Sequence, residues 1–331
     1  MAILIHPQEI KYAMRILITG AAGFIGQIVA QRLSQDESNK LILTDMIEPQ
    51  PPLSTNAPHR CTCIKADLLD DVQKVVTKGL DAVIILHGIM SSGAEADLQL
   101  GYRVNVDATR SLLDALATTC PGVRVVYASS EAVYGRPLPA TGVNESTVTT
   151  PEMSYGCQKI ICETIINDYT RRGLINGFSL RFPTVSIRPG KPTAAVTSFL
   201  SGIIREPMNG EVCVLPLAER NWKHWMCSPR TLVQNISIAL SIPADALPSH
   251  RRAINVPGFA VTVQDMLNAL VEVGGREKLD LVREEPKPEL QSLLHSWADD
   301  YDNSLALSLG MVRDTSFVES VQDFRKTTRS T

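Results

Sequence analysis

The feature that most constrains the fold is a glycine-rich turn between a short apolar run and a helix-forming segment. Gly20, Gly23 and Gly26 follow the apolar run in RILITGAAGFIG and lead into FIGQIVAQRLSQ. Where a strand-to-helix turn lacks side chains, backbone N–H groups and the positive end of the helix can approach a pyrophosphate. The G-x-x-G-x-x-G spacing by itself is equally compatible with a plain tight turn. The turn therefore predicts a nucleotide-binding unit, and the strength of this prediction depends on the sequence around the turn.

Further apolar runs alternate with helical segments through the first half of the chain. The later strand candidates are KLILTD, CTCIKADL, DAVIILHG, VRVVYASS and FSLRFPTV, and one amphipathic helix is predicted over YRVNVDATRSLLDALAT. Runs with little polar alternation are typical of parallel strands covered on both faces. This order predicts an α/β fold with a doubly wound parallel Rossmann sheet.

The pattern changes after about Arg181, where helical segments alternate with short strands and proline-containing turns. With 331 residues the chain is long enough for more than one unit. We expect an N-terminal extension over 1–13, an NAD-binding Rossmann domain over 14–181 and a mainly substrate-binding α+β region over 182–331. That smaller region is expected to be partly discontinuous, because RRAINVPG predicts a strand near 253–257 that returns to the main sheet.

Composition excludes several other classes of protein. The formal net charge is −3 with no cluster of basic residues, which argues against a nucleic-acid partner. No apolar run is long enough to cross a bilayer, and the first residues lack the basic and apolar regions of a signal peptide. Seven cysteines without paired Cys-x-x-Cys spacing predict reduced thiols, no metal site and a cytoplasmic location.

Two acids at strand ends extend the nucleotide-binding pattern. Asp45 ends the second strand, about 20 residues after the glycine turn, where an acid accepts hydrogen bonds from ribose hydroxyls. Because it would repel a 2′-phosphate, NAD is favoured over NADP; the alternative role is a capping acid. Asp67 ends the third strand, where it could contact an adenine edge, cap the next helix, or do both.

A tyrosine and a lysine four positions apart lie in SYGCQK, Ser154 to Lys159. On a helix this spacing places Tyr155 and Lys159 on one face. A phenol ordinarily has a pKa of about 10 and is a base near neutrality only beside a positive charge that stabilises the phenolate. Lys159 can supply this charge, and Ser130, at the end of the fifth strand, can hold a substrate oxygen. For these two residues taken alone, the alternative is an ordinary surface pair on a solvated helix.

Together the three motifs resemble the extended short-chain dehydrogenase/reductase family. TGAAGFIG, SSEAVYG and YGCQK match its cofactor, serine and Tyr-x-x-x-Lys motifs in order and spacing, from about Met14 onward. The resemblance implies an NAD-dependent dehydrogenase whose catalytic residues are Ser130, Tyr155, Lys159 and Asn105, with Asn105 ordering the lysine and a proton-relay water. It implies that Ser129 contributes backbone support. The cofactor-binding residues that it implies are Gly20, Gly23, Phe24, Ile25, Gly26, Asp45, Asp67, Leu68, Leu86, Gly88, Asn105, Ser129, Tyr155, Lys159, Pro183 and Thr184.

Several stretches resemble family members that oxidise the 2-hydroxyl of small, D-erythronate-like sugar acids to 2-keto acids with NAD. They are SSGAEADLQLGYRVN, NDYTRRG, LRFPTVSIRPGKP, SFLSGIIREP and WKHWMCSPR. A small, polar, anionic substrate is therefore expected. Arg188 and His224 are candidate partners for its carboxylate, unless Arg188 pairs with a structural acid and His224 packs beside Trp222 and Trp225. The expected substrate-binding residues are Ser91, Ser92, Gly93, Ser130, Tyr155, Arg188 and His224.

Two other functions stay open at the level of sequence. One is a nucleotide-sugar epimerase or dehydratase that retains NAD, although Pro183 and Thr184 stand where such enzymes usually carry an asparagine. The other is a non-catalytic NAD-sensing regulator, although such proteins often lose the tyrosine or the lysine. Glu131 follows Ser130 where a small residue is usual, and it either faces solvent or alters the pocket.

The resemblance also implies a homodimer formed by a four-helix bundle. Its helices would be those around YRVNVDATRSLLDAL and SYGCQKIICETIINDY. Packing of the same apolar faces on the sheet explains the sequence pattern equally well.

Overall fold

A computed structural model describes residues 13–52, 60–192 and 197–328. The predicted N-terminal extension lies outside the described residues except for Ala13. The strands are β1 (Arg15–Thr19), β2 (Lys40–Asp45), β3 (Cys61–Lys65), β4 (Ala82–Ile85), β5 (Arg124–Ser130), β6 (Asn176–Phe182), β7 (Thr184–Val185), β8 (Cys213–Leu215), β9 (Lys223–Cys227), β10 (Ala253–Asn255), β11 (Phe259–Thr262) and β12 (Val282–Glu284). The helices are α1 (Phe24–Ser34), α2 (Val72–Val75), α3 (Ser91–Ala96), α4 (Leu98–Tyr102), α5 (Ala108–Thr119), α6 (Ser154–Arg171), α7 (Ser198–Met208), α8 (Pro229–Ala239), α9 (Val263–Gly274), α10 (Pro288–Leu294), α11 (Ser304–Ser308) and α12 (Phe317–Thr328).

The main sheet has seven parallel strands in the order β10-β6-β5-β4-β1-β2-β3. The chain leaves β1 toward β2 and β3 on one side, and returns to β4 and β5 on the other. The strand order therefore reverses between β1 and β4, and a crevice forms at the carboxyl ends of these strands. This topology confirms the predicted doubly wound α/β fold.

Both faces of the main sheet are covered by helices, which explains why its strands read as continuous apolar runs. On one face, Val29 of α1 and Leu232 of α8 pack in the cluster that contains Ile16 and Ile18 of β1. On the other face, Leu112 of α5 and Ile166 of α6 pack in the cluster that contains Leu17 and Val83. Alternate residues of β1 thus belong to opposite cores.

The helix predicted over YRVNVDATRSLLDALAT is interrupted in the structure. Between α4 and α5 the residues Arg103–Asp107 form a π-helical turn. Such a turn accommodates an additional residue per turn and recurs at functional sites. Here it carries Asn105, whose side chain is buried. Periodicity alone predicts one uninterrupted helix, because a single wide turn hardly changes the apolar pattern.

The residues after β6 build two small sheets, in the orders β11-β9-β7 and β12-β8, and a core of their own. That core joins α7, α9 and α12 through Leu200, Met266 and Val321. The segment also returns to the large sheet, because β10 pairs with β6 in register Ile254 to Leu180. Residues from both parts therefore meet at the carboxyl ends of the main strands.

Candidate active site

A cavity of about 250 Å³ lies at the carboxyl ends of the main sheet strands. Its walls come from the ends of β4, β5 and β6, the start of α6, and later segments that include 296–298. Many predicted site residues line it: Ile25, Leu86, Gly88, Ser91, Ser129, Ser130, Tyr155, Lys159, Pro183, Thr184, Arg188 and His224. The other predicted residues lie outside this lining: Gly20, Gly23, Phe24, Gly26, Asp45, Asp67, Leu68, Ser92, Gly93 and Asn105.

The glycine turn forms a surface that side chains would fill. Gly20 has φ +65°, and an added Cβ would lie 2.6 Å from the backbone nitrogen of His87. A Cβ on Gly26 would overlap the carbonyl oxygen of Gly20. Gly23 is the N-cap of α1 and supplies no side-chain cap, while Phe24 begins the helix. The first-turn N–H groups are therefore left for an anion, as a dinucleotide pyrophosphate requires.

The two strand-end acids differ in what they contact. One carboxylate oxygen of Asp45 accepts a hydrogen bond from the N–H of Ala22 in the glycine turn at 3.0 Å. Its carboxylate is thus held beside the expected pyrophosphate surface. Asp67 instead accepts the N–H of Leu69 at 2.9 Å, and the neighbouring Leu68 is buried. Asp67 therefore stabilises the turn that precedes α2, but the N-cap of that helix is Asp71, so the predicted helix-capping role of Asp67 is wrong.

Tyr155 and Lys159 lie one turn apart in α6, and both are almost completely buried. The Lys159 Nζ donates a hydrogen bond to the carbonyl of Ala128 at 2.6 Å. It lies 5.3 Å from the centre of the Tyr155 ring and 4.7 Å from that of Tyr127. A carbonyl and two aromatic faces thus surround this ammonium group, which has no carboxylate partner among the described residues.

The two serines at the end of β5 point in opposite directions, as successive strand residues do. The Ser129 hydroxyl donates to the buried carboxylate of Glu163 at 2.5 Å. Ser130 lines the cavity, and its hydroxyl oxygen accepts the N–H of Ala132 at 3.1 Å. Glu163 thereby holds the end of the strand, while Ser130 shares a cavity wall with Tyr155.

Asn105 supports the loop beside the lysine rather than lining the cavity. Its side-chain oxygen accepts the N–H of Ile89 at 2.7 Å, and its amide nitrogen donates to the Ile89 carbonyl at 3.0 Å and to Gln158 at 2.7 Å. An added Cβ on Gly88 would lie 2.9 Å from the Asn105 side-chain oxygen and 3.9 Å from the Lys159 Nζ. Asn105 therefore ties the segment after β4 to α6.

Arg188 is a half-buried cation at the cavity wall. Its Nε donates to the Val185 carbonyl at 3.1 Å, and its backbone N–H donates to the Ser201 hydroxyl at 3.1 Å. Burial lowers the pKa of Arg188, and the neighbouring Tyr155 acts in the opposite direction. The guanidinium forms no ion pair with a carboxylate in the described parts of the chain, so the alternative of a structural acid partner is not what the structure shows.

His224 is held in a different way. Its Nε2 shares a hydrogen bond with the Thr184 hydroxyl at 2.7 Å, and its ring stacks on Trp222 with centroids 5.1 Å apart. Burial lowers the pKa of His224 to about 3, so the imidazole is neutral near pH 7. It can therefore offer a substrate carboxylate a hydrogen bond but no charge.

Of the small residues after β4, some line the cavity and others pack against neighbouring side chains. Ser91 lines the cavity at the start of α3. Ser92 and Gly93 follow in the first turn of that helix, and an added Cβ on Gly93 would lie 2.6 Å from a methyl group of Ile89. The structure thus supports a packing role for Gly93.

Sequence reasoning missed two kinds of residue in this region. His87 bridges β1 and α5 through Thr19 at 2.8 Å and Thr109 at 3.2 Å, and its pKa is lowered to about 3, mainly by burial and also by Lys159. The only sequence signal for it is its place in LHGIMSS, directly after the fourth strand. Aromatic wall residues contributed from far along the chain, such as Trp297 and Tyr301, have no local sequence signal. The sequence left open whether Glu131 faces solvent or alters the pocket, and in the structure it lies in the cavity wall.

Some expectations concern features other than the cavity. All seven cysteines are unpaired. Within the described ranges, no group of three or more potential metal-ligating side chains comes together. In the same ranges, no helix is long and apolar enough to cross a membrane.

Comparison with known proteins shows the family of this chain. Residues 16–228 match the model of the NAD dependent epimerase/dehydratase family. The chain belongs to this family. It is 40% identical to D-erythronate dehydrogenase of Haemophilus influenzae over 94% of this chain and 98% of that protein, and 37% identical to the Cupriavidus necator enzyme of the same name over the same shares. A solved structure of a nucleoside-diphosphate-sugar epimerase from Agrobacterium tumefaciens superposes with a TM-score of 0.86 at 35% identity, covering 94% of this chain and 93% of that one.

These relatives confirm several predictions made from the sequence. The resemblance to extended short-chain dehydrogenases is correct, NAD is the cofactor, and the chain is an NAD-dependent dehydrogenase by its family and relatives. The roles of individual site residues are not tested by these similarities and stay predictions.

Proposed function

We propose that this enzyme oxidises the 2-hydroxyl of a small, D-erythronate-like sugar acid to a 2-keto acid with NAD. The observation that carries the proposal is the position of Arg188 in the same cavity as Ser130, Tyr155 and Lys159. A partly buried guanidinium without a carboxylate partner is costly unless an anion completes it. A substrate carboxylate, held by the planar fork of Arg188, satisfies this requirement. Similarity to two D-erythronate dehydrogenases supports the same substrate class.

The residues of the cavity suit removal of a proton from a hydroxyl group. Ser130 holds the substrate oxygen by hydrogen bond, and Tyr155, as phenolate, takes the hydroxyl proton. The ammonium of Lys159 lies over the Tyr155 ring and stabilises negative charge on the phenolate. His224 supports the carboxylate end through a neutral hydrogen bond, and Asn105 keeps the loop beside Lys159 in place.

The glycine turn fits NAD because side chains are absent where its pyrophosphate would lie. When bound, NAD supplies the acceptor for the substrate hydride. Asp45 would accept hydrogen bonds from the adenosine ribose, the first turn of α1 would hold the pyrophosphate, and Thr184 and Pro183 would lie near the nicotinamide carboxamide. Lys159 would hold the adjacent ribose.

A nucleotide-sugar epimerase or dehydratase is the second candidate, because the similar structure from Agrobacterium tumefaciens bears an epimerase name. This function needs retained NAD and a site for a nucleoside diphosphate. The large aromatic side chains His224, Trp225 and Trp297 line the cavity, and the space that they occupy favours a smaller substrate.

One experiment separates the two candidates. Purified enzyme is supplied with NAD and a panel of four- to six-carbon sugar acids, and NADH formation is followed by absorbance. Binding of UDP-sugars is measured in parallel by isothermal titration. We expect NADH only with sugar acids and no binding of UDP-sugars; tight UDP-sugar binding without NADH formation would replace the proposal by the epimerase function.

We also propose a homodimer that uses α4, α5 and α6. Leu98, Leu100 and Tyr102 of α4 are large apolar side chains exposed on the protomer surface. Burial of these side chains against a second copy would remove apolar area from water. Sedimentation velocity at micromolar concentration should give twice the monomer mass, and a monomer under these conditions would refute the dimer.

A further inference from the structure

One acidic side chain in the cavity wall has no part in the mechanism described above. Glu131 follows Ser130 directly and begins the short 3-10 helical turn Glu131–Val133. The residue lines the cavity and is half-buried, and its Oε1 is buried without a hydrogen-bond partner among the described residues. Buried polar atoms are nearly always paired, so an unpaired carboxyl oxygen beside the candidate site calls for a physical explanation.

Arg181 is the cation whose charge acts on Glu131, but the hydrogen bonds of its guanidinium among the described residues go to other groups. The Arg181 guanidinium forms a fork with Glu163, through Nε at 2.9 Å and a terminal nitrogen at 2.7 Å. Its other terminal nitrogen donates to the Tyr134 hydroxyl at 2.5 Å. Arg181 therefore lies within electrostatic range of Glu131 but offers it no hydrogen bond.

The surroundings of Glu131 favour the uncharged acid. Burial raises the pKa of Glu131 well above its ordinary value, and Arg181 only partly opposes this shift. The other ionisable neighbours are Tyr301 and Cys227, which carry no positive charge. A neutral carboxyl group both donates and accepts hydrogen bonds. A complementary ligand group also does both, and in a sugar acid that group is a hydroxyl.

We propose that Glu131 is a specificity-determining residue that binds a second hydroxyl of the substrate, next to the hydroxyl held by Ser130 and Tyr155. The inference rests on the proposed function, because it assumes that the oxidised hydroxyl lies at Ser130. Adjacency along the chain places the two side chains at one end of β5. A vicinal diol has its two hydroxyls on adjacent carbons, and Ser130 and Glu131 both line the cavity that would hold it. The selected substrate class is thus polyhydroxylated rather than a simple 2-hydroxy acid.

The test compares matched substrates in matched variants. Wild type, Glu131→Leu and Glu131→Gln are assayed with D-erythronate and with (R)-2-hydroxybutyrate, which lacks the further hydroxyls. A second pair without a carboxylate is 2,3-butanediol and 2-butanol. The control variant is Glu152→Gln, because Glu152 also lines the cavity but is already paired with Arg136 at 2.7 Å.

Loss of one neutral hydrogen bond lowers kcat/KM by about tenfold. We expect Glu131→Leu to lose about this factor on the hydroxylated member of each pair and less than about threefold on its deoxy partner. Glu131→Gln should retain most of the preference, because the amide also donates and accepts. Glu152→Gln should leave the ratio between the two substrates as in wild type.

Three results would overturn the inference. They are an equal loss on both members of a pair, no loss in Glu131→Leu, and a Glu131→Gln variant as impaired as Glu131→Leu, which would indicate pairing with a cationic group. If Glu131→Leu does not fold, judged by thermal unfolding, the Glu131→Gln ratio still decides between a hydroxyl and a charged ligand group. If wild type oxidises the diol but no acid, the proposed function fails while the role of Glu131 is still measured. An enzyme that oxidises neither pair contradicts both.

Discussion

Helix α6 touches the turn after β5 at Gly156 and Ala132, so closely that a Cβ on Gly156 would overlap the Ala132 carbonyl oxygen. Gly156 follows Tyr155, and Ala132 donates its N–H to the Ser130 hydroxyl. This contact therefore sets the distance between the two groups proposed to hold the substrate oxygen. Only glycine allows it, because every other residue carries a Cβ.

Gly156→Ala should weaken both stability and activity. In an exposed helix this change stabilises by about 1 kcal/mol. Here the methyl group forces α6 away from the Ala132 backbone, which costs about 1–3 kcal/mol. Urea unfolding and kcat measure the two effects, and an increase in stability would contradict the packing argument.

Tyr155→Phe should remove most turnover while NAD affinity stays close to that of wild type. A positioned general base contributes about 10²–10⁴ in rate, and phenylalanine keeps the ring but not the proton acceptor. The matched control is Cys157→Ala, two residues along α6, where the side chain is only partly buried. Steady-state kinetics and NAD titration provide the comparison, and full activity in Tyr155→Phe would refute the proposed mechanism.

Asp45→Asn should reduce the preference for NAD over NADP by about tenfold. The amide oxygen keeps the hydrogen bond from the Ala22 N–H, while the negative charge that repels a 2′-phosphate is lost. Asp70→Asn, at an exposed position in the turn after β3, controls for the change in net charge. The ratio of kcat/KM for the two cofactors is the measurement; an unchanged ratio would mean that Asp45 does not select the cofactor.

Glu163→Gln should destabilise the fold strongly. Glu163 and Arg181 form a buried ion pair at 2.7 Å, and Glu163 also accepts the Ser129 hydroxyl. Removing one partner leaves a buried charge uncompensated, which costs about 3–5 kcal/mol. Glu152→Gln breaks a pair of the same length on the surface and should change stability little. Urea unfolding of both variants should show this contrast, and similar losses would contradict it.

Glu131→Gln should change how stability depends on pH. Because burial raises the folded-state pKa of Glu131 above the unfolded value of 4.5, the folded protein binds the extra proton. The contribution of Glu131 is complete below pH 4.5 and is lost as pH rises through the folded pKa. Arg181 is the charged neighbour that acts on it, while the raised pKa values of the other ionisable neighbours, Tyr301 and Cys227, keep them uncharged in this range.

The Gln variant, which does not titrate, should therefore gain stability relative to wild type between pH 5 and 8. The difference should shrink toward pH 4. Thermal unfolding of both proteins across this range gives the comparison. Parallel pH curves for wild type and Glu131→Gln would show that Glu131 is ionised in the folded protein.

Local patterns determined much of this protein. Apolar runs, the spacing of glycines at Gly20 to Gly26 and the Tyr155–Lys159 interval depend on neighbours within a few residues, so they predicted the parallel sheet, the NAD site and the proton-handling pair. The π-helical turn at Arg103–Asp107 was missed, because one inserted residue leaves the apolar periodicity almost intact.

Only the tertiary structure decided what surrounds those motifs. Among the described residues, Arg188 has no carboxylate partner and one carboxyl oxygen of Glu131 in the cavity wall has no hydrogen-bond partner. His224 is neutral beside Thr184 because segments far apart in sequence bury it. Burial and pairing set the charge of a side chain, and both arise from contacts between distant parts of the chain. The sequence by itself determined the fold and the cofactor, whereas the packing of distant segments determined the charge and polarity of the cavity that selects a substrate.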